Sequence, residues 1–231
     1  MNFFGHAAVA GWISAEPRWV LGAMLPDFVS MCRARVVAIE DPLVQAGVDM
    51  HHRTDDVFHG CPTFTALQRD GVDTLEARGV GRGTARAVAH VGTELLIDGL
   101  LLDDPAACEA YRAGVAVSGD LGIQFRRGGD RFAELRARAA GHGLPLGLRA
   151  PSDVAARLRR ILASRPRLAF AEGDDDPVIE WLEATRGELE GRVDTLLTEV
   201  RDGLGAVDMD ARRRAILRSR EFPYSRGSES V

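Results

Sequence analysis

The stretch "ARAVAHVGTELLIDGLLL", residues 85 to 102, decides the fold. On an α-helix drawn through it, Val88, Val91, Leu95, Leu96, Ile97, Leu100 and Leu101 cover most of the surface, and a helix apolar nearly all round belongs inside a protein. His90, Glu94 and Asp98 interrupt that surface at i, i+4 and i+8, so they stack in one stripe that drifts by about 40° per step. Ionisable groups carried into a core are expensive unless they are paired or bound to a cation.

A second stretch repeats the device. In "HHRTDDVFH", residues 51 to 59, His51, Asp55 and His59 have the same spacing, with His52 and Asp56 as a neighbouring i, i+4 pair. Two such stripes predict a divalent metal ion held between two helices. Imidazole with carboxylate oxygen suits manganese, iron or zinc and leaves open positions for water. A polar stripe is also what the wet side of an amphipathic helix looks like, and His52 with Asp56 fits either a solvated pair or one that orients ligands. Five of the six histidines (His6, His51, His52, His59 and His90) lie within the first 90 residues.

Outward from these helices, periods near 3.6 recur around residues 3 to 13, 17 to 31, 41 to 59, 62 to 70, 84 to 102, 106 to 117, 130 to 140, 152 to 164, 176 to 203 and 208 to 219. The expectation is an all-α, single-domain helical bundle over residues 1 to 220, without convincing strands, followed by a flexible polar tail at 221 to 231. Helix starts are expected at Ser152 and at the Asp176-Pro177 step, where a capping side chain meets a good first-turn residue.

A chain of 231 residues with 45% hydrophobic content can bury a sizeable core. No apolar run reaches the roughly 18 residues that span a bilayer, and the opening "MNFFGHAAVAGWIS" lacks a basic n-region, so a cytoplasmic protein without a transmembrane segment is expected. Cys32, Cys61 and Cys108 form no CxxC pair and read as reduced, packed thiols. The net charge of -5 hides an asymmetry: Arg126 to Arg167 holds eleven arginines against Asp130, Glu134 and Asp153, a local +8 that leaves -13 elsewhere. Such a segment suits an acidic partner, and it equally describes solvated helix faces. The acidic overall balance and the lack of aromatics among the arginines argue against nucleic acid.

The segments "MNFFGHAAVA" (1 to 10), "LGAMLPDFV" (21 to 29), "GVDMHHRTD" (47 to 55), the Asp98 helix and "ASRPRL" (163 to 168) occur in an order and at a spacing that resemble the acyl carrier protein phosphodiesterase family. That family is similar to the HD-type metal-dependent phosphohydrolases. The resemblance implies an all-helical hydrolase that uses a divalent cation, typically manganese, to cut the phosphodiester between 4'-phosphopantetheine and a serine of acyl carrier protein. By position, His6, Asp27, His51, Asp55 and Asp98 match the family's polar motif residues, and Arg53 matches an arginine of the same helix. With the two stripes, the expected metal ligands are His6, Asp27, His51, Asp55, His59, His90, Glu94 and Asp98. Arg53, Asp55 and Asp98 are the expected catalytic groups, Arg53 by offsetting charge on the phosphoryl oxygens. Acyl carrier proteins are acidic helical bundles, which the +8 segment would suit.

The chain departs from the family at Gly99, where a histidine is usual, at Glu94, where aspartate is usual, and at His59, where a carboxylate is usual. His90 lies outside the family pattern. Two alternatives follow. The segments "HAAVA" and "GAMLPDF" also resemble the zinc-dependent phospholipase C group, which would make the substrate another phosphoester, a phospholipid or a nucleotide. Gly99 is the feature that suggests a non-catalytic helical binding module instead.

Overall fold

Proline and aspartate punctuate this chain. Pro17, Pro42, Pro62, Pro105 and Pro151 each stand in the first turn of a helix, where a missing N–H costs nothing and a fixed φ favours the helical start. The computed structural model describes residues 1 to 205; the expected helix at 208 to 219, the end of the expected domain at 220 and the expected tail at 221 to 231 lie outside the described residues. The helices are α1 (Phe3–Gly11), α2 (Pro17–Met31), α3 (Pro42–Gly60), α4 (Pro62–Ala77), α5 (Arg82–Leu101), α6 (Pro105–Val115), α7 (Gly129–His142), α8 (Pro151–Leu162), α9 (Asp175–Glu190) and α10 (Val193–Leu204), with a 3-10 turn at Leu146–Arg149. The fold is all-α, as the periodicity predicts. The expected 176 to 203 segment is two helices, parted by a turn at Gly191 and Arg192.

Two short strands, β1 (Arg35–Ile39) and β2 (Ile123–Arg127), correct the expectation of none; they pair antiparallel, with Val36 opposite Phe125 and Ile39 opposite Ile123. β2 does alternate over Ile123, Gln124, Phe125 and Arg126, but the apolar run Val36 to Ile39 does not, and the partners lie far apart in sequence, so the pairing itself is a tertiary event.

The buried helix is α5. It packs against α1, α4, α8, α9 and the 3-10 turn, and Leu95, Leu96, Ile97 and Asp98 are inaccessible to solvent. The tightest helix pair is α2 with α3. A Cβ on Gly22 would lie 2.2 Å from the carbonyl oxygen of Val44, and a Cβ on Gly47 would lie 2.2 Å from that of Trp19. Backbone therefore meets backbone at this crossing, which only glycine permits. Asp41 caps α3 by accepting from the amides of Leu43 and Val44, and its other oxygen pairs with Arg18 at the start of α2.

Among the described residues no helix is long and apolar enough to cross a membrane. Gly47→Ala is expected to destabilise the protein by about 1–3 kcal/mol or more through overpacking. Gly187→Ala, at an exposed position inside α9 with open space around it, is expected to stabilise by about 0.5–1 kcal/mol. Urea unfolding of the two variants checks both signs.

Candidate metal centre

The glycine crossing sets the first group of ligands. One residue beyond Gly22, the carbonyl of Ala23 accepts a hydrogen bond from His51 Nδ1 at 2.9 Å. With Nδ1 so engaged, the His51 lone pair sits on Nε2. His51 stacks on His6 of α1, with ring centroids 3.8 Å apart, and Asp27 of α2 completes a set of ligand atoms that all lie within 4.8 Å of one another. His6, Asp27 and His51 thus form a group that could hold a metal ion. Two of its atoms argue for one directly: His6 Nδ1 and Asp27 Oδ2 are buried and have no hydrogen-bond partner among the described residues. Orphaned buried polar atoms are rare because each forfeits its solvation for nothing, and a cation removes that cost.

Asp55, one turn after His51, faces this group. Its Oδ1 lies 3.1 Å from His6 Nε2 and its Oδ2 lies 3.4 Å from His51 Nε2. A second group stands beside it. Glu94 Oε1 is 3.1 Å from His59 Nε2 and 3.2 Å from His90 Nε2, and Gln68 Nε2 donates to His90 Nδ1 at 2.6 Å. The Met1 amino nitrogen lies between the two groups, 3.1 Å from Asp55 Oδ1 and 3.3 Å from Glu94 Oε1. The α3 and α5 stripes do face each other. The first group is buried, whereas the side chains of His59 and His90 are 39% and 35% exposed, so the second group forms the rim.

Burial shifts these groups. Desolvation lowers the His6 pKa and takes that of His51 down to about 3, so both rings are neutral at pH 7 and ready to ligate. Desolvation raises Asp27 well above the usual carboxylate range, with the Asp98, Asp55 and Glu94 charges adding to it. Burial also pushes on Asp55 and Glu94, but hydrogen bonds from His6 to Asp55 and from His59 and His90 to Glu94, together with the Met1 charge, outweigh it and hold both carboxyls below their ordinary values.

Asp98 and Arg53 stand apart from the ligand groups. Asp98 is fully buried and spends both oxygens on the open end of α1, accepting from the amide of Phe4 at 3.2 Å and that of Gly5 at 2.9 Å. It anchors the helix that carries His6. Arg53 is exposed on α3, two residues from both His51 and Asp55 and therefore about 200° around the helix from each. Asp27 and the Pro26 before it both lie inside α2. Gly99 has a packing reason, since a Cβ there would come within 2.1 Å of the carbonyl oxygen of Leu148. A histidine at 99 would collide with the 3-10 turn.

Gln68 is a site residue that the sequence does not reveal, because it is one of several polar residues on an amphipathic α4 and its role exists only through His90. Scans against family models, curated proteins and solved structures return no match for the chain.

Asp27→Leu is expected to stabilise metal-free protein by about 1–3 kcal/mol, by removing an unpaired buried carboxyl, and to abolish the rise in Tm that added manganese or zinc gives the wild type. Thermal melts with chelator and with each cation check both halves. Asp98 yields a pH prediction. Desolvation raises its pKa from 3.8 to about 7, so folded protein holds this proton more firmly than unfolded chain, and the stability it contributes is present below pH 3.8 and lost as pH rises towards 7. Relative to Asp98→Asn, chelated wild type should lose stability across that window in urea titrations.

Proposed function

We propose that the protein is a metal-dependent phosphodiester hydrolase that removes 4'-phosphopantetheine from acyl carrier protein or cleaves a related phosphoester, with manganese as its ion and iron or zinc as substitutes. The observation that carries the reading is the pair of orphaned buried atoms, His6 Nδ1 and Asp27 Oδ2, beside a histidine whose Nδ1 is already committed. Buried oxygen and nitrogen donors in this mixture suit borderline and hard divalent cations. His6, Asp27 and His51 would hold one ion, and His59, His90 and Glu94 have the composition to hold another.

A divalent ion bound there would lower the pKa of a coordinated water towards about 7 and draw charge from the phosphoryl oxygens. The chain's own residues supply the rest. Asp55 is 29% exposed and in contact with both His6 and His51, so it is placed to accept a proton from an attacking water. His59 and His90 stand at the rim with their Nε2 atoms on Glu94 Oε1, where they hold that carboxylate in place beside the buried group. Asp98 contributes by holding α1, and with it His6, in position; it is a positioning residue. The exposed setting of Arg53 argues against the charge-offsetting role that the family resemblance implies.

Hydrolysis of bis(p-nitrophenyl) phosphate and of holo acyl carrier protein, with manganese, iron and zinc in turn, tests the reading. His51→Ala and Asp55→Ala are expected to lower kcat by about 100-fold or more, and Arg53→Ala to change it by less than about threefold. Absence of metal-dependent turnover on every diester would reject it.

A further inference from the structure

Beside the rim histidines, the surface carries arginines that make no ion pair with a carboxylate among the described residues. Gly83 in the first turn of α5 lets the segment after α8 lie directly on the helix: a Cβ at 83 would meet the carbonyl oxygen of Arg167 at 2.3 Å, and Thr84 Oγ1 donates to the carbonyl of Ala169 at 3.1 Å. This contact builds two adjoining grooves. One, of about 460 Å³, is lined by Gln68, Arg86, His90 and Arg165. The other, of about 520 Å³, is lined by Ser30, Arg33, Arg157, Arg160, Ser164 and Arg165. Arg165 and His90 join the parts: Arg165 belongs to both grooves, and His90 belongs to the first groove and to the rim of the metal centre.

Neither groove has an acidic residue in its lining, and among the described residues Arg33, Arg86, Arg157, Arg160 and Arg165 make no ion pair with a carboxylate. Some arginines elsewhere do have carboxylate partners, Arg149 on Asp103, Arg159 on Asp175 and Arg192 on Glu188. Arg157 is also partly sunk, its guanidinium stacked over Phe3 at 5.5 Å and its Nε buried without a partner. A buried guanidinium N–H without an acceptor calls for an anion. Guanidinium groups with two serine hydroxyls are the donor set that matches phosphoryl oxygens, and a cavity of this size matches a small molecule.

We propose that this trough binds a phosphoryl group remote from the ester bond cut at the metal centre, so that the substrates are phosphoesters carrying a second phosphoryl group. The assignment rests on the phosphodiesterase reading above and narrows it to its related-phosphoester branch, since the 4'-phosphopantetheine arm of acyl carrier protein carries no second phosphoryl group.

Isothermal titration of the full chain with inorganic phosphate tests the trough itself, in wild type, Arg160→Gln/Arg165→Gln and His51→Ala. Arg160 and Arg165 are both exposed, so their exchange leaves the core intact. Phosphate affinity is expected to fall about tenfold or more in the arginine variant and to stay unchanged in His51→Ala. Affinity kept in the arginine variant and lost in His51→Ala would put the anion at the metal centre and overturn the proposal. Arginine-dependent binding of polyglutamate without binding of phosphate would also overturn it, making the trough a surface for an acidic polypeptide.

A second titration, with manganese present, compares hexanediol bisphosphate with hexyl phosphate. The bisphosphate should bind wild type about tenfold or more tighter, an advantage lost in both variants; equal affinities would overturn the two-phosphoryl substrate class. A chain that takes up no metal but still binds phosphate through Arg160 and Arg165 retires the diesterase reading and keeps the anion site.

Discussion

The structure depends on a crossing where side chains are absent. At Gly22 and Gly47 the backbones of α2 and α3 come close enough that a methyl group on either would strike a carbonyl. This approach lets the Ala23 carbonyl reach the His51 ring, and it brings Asp27, one turn further along α2, to the same place. With larger residues at the crossing the helices would separate by ångströms, and the ligand atoms would disperse. The metal-site geometry is thus set by two residues that carry no chemistry, an arrangement that rigid helices hold better than loops would.

Asp98 does for α1 what the glycines do for α2 and α3. A carboxylate in a fully buried position on the central helix is a liability, since burial pushes its pKa to about 7. The liability is offset by the amides of Phe4 and Gly5, two of the donors that any helix start leaves unsatisfied. One buried group supplies what another lacks, and the result fixes His6 against His51. Asp27 Oδ2 and His6 Nδ1 have no such compensation among the described residues. Two atoms left unpaired beside a third that is fully satisfied is the pattern of a site built around something else.

Much of this was legible in the sequence, because it lives in periodicity. The i, i+4, i+8 stripes on α3 and α5 mark His59, His90 and Glu94, which do meet across the two helices, and the apolar surface of α5 marks the helix that is buried. Three things were not legible. The strands are five-residue pieces whose pairing is long-range. Gln68 acts only through a histidine on another helix. Asp98 has the spacing of a ligand but the environment of a cap, and the difference is made by α1, which no pattern in α5 can announce. Gly99 illustrates the same limit, since its meaning lies in the carbonyl of Leu148 and not in the residues beside it.

Exposure gives the centre a direction. His6 and His51 lie deep, Asp55 is partly exposed beside them, and His59 and His90 lie at the rim. Arginines collect on the side that His90 faces. The strong positive balance of residues 126 to 167 is therefore not uniform: Arg149 and Arg159 are absorbed by carboxylates, while Arg157, Arg160 and Arg165 remain beside the groove. A field concentrated there, in a concave surface, favours arrival of an anion from that side. Part of the segment that reads as a diffuse basic stretch in the sequence becomes, with the chain after α8 laid onto α5 at Gly83, a charged groove beside His90.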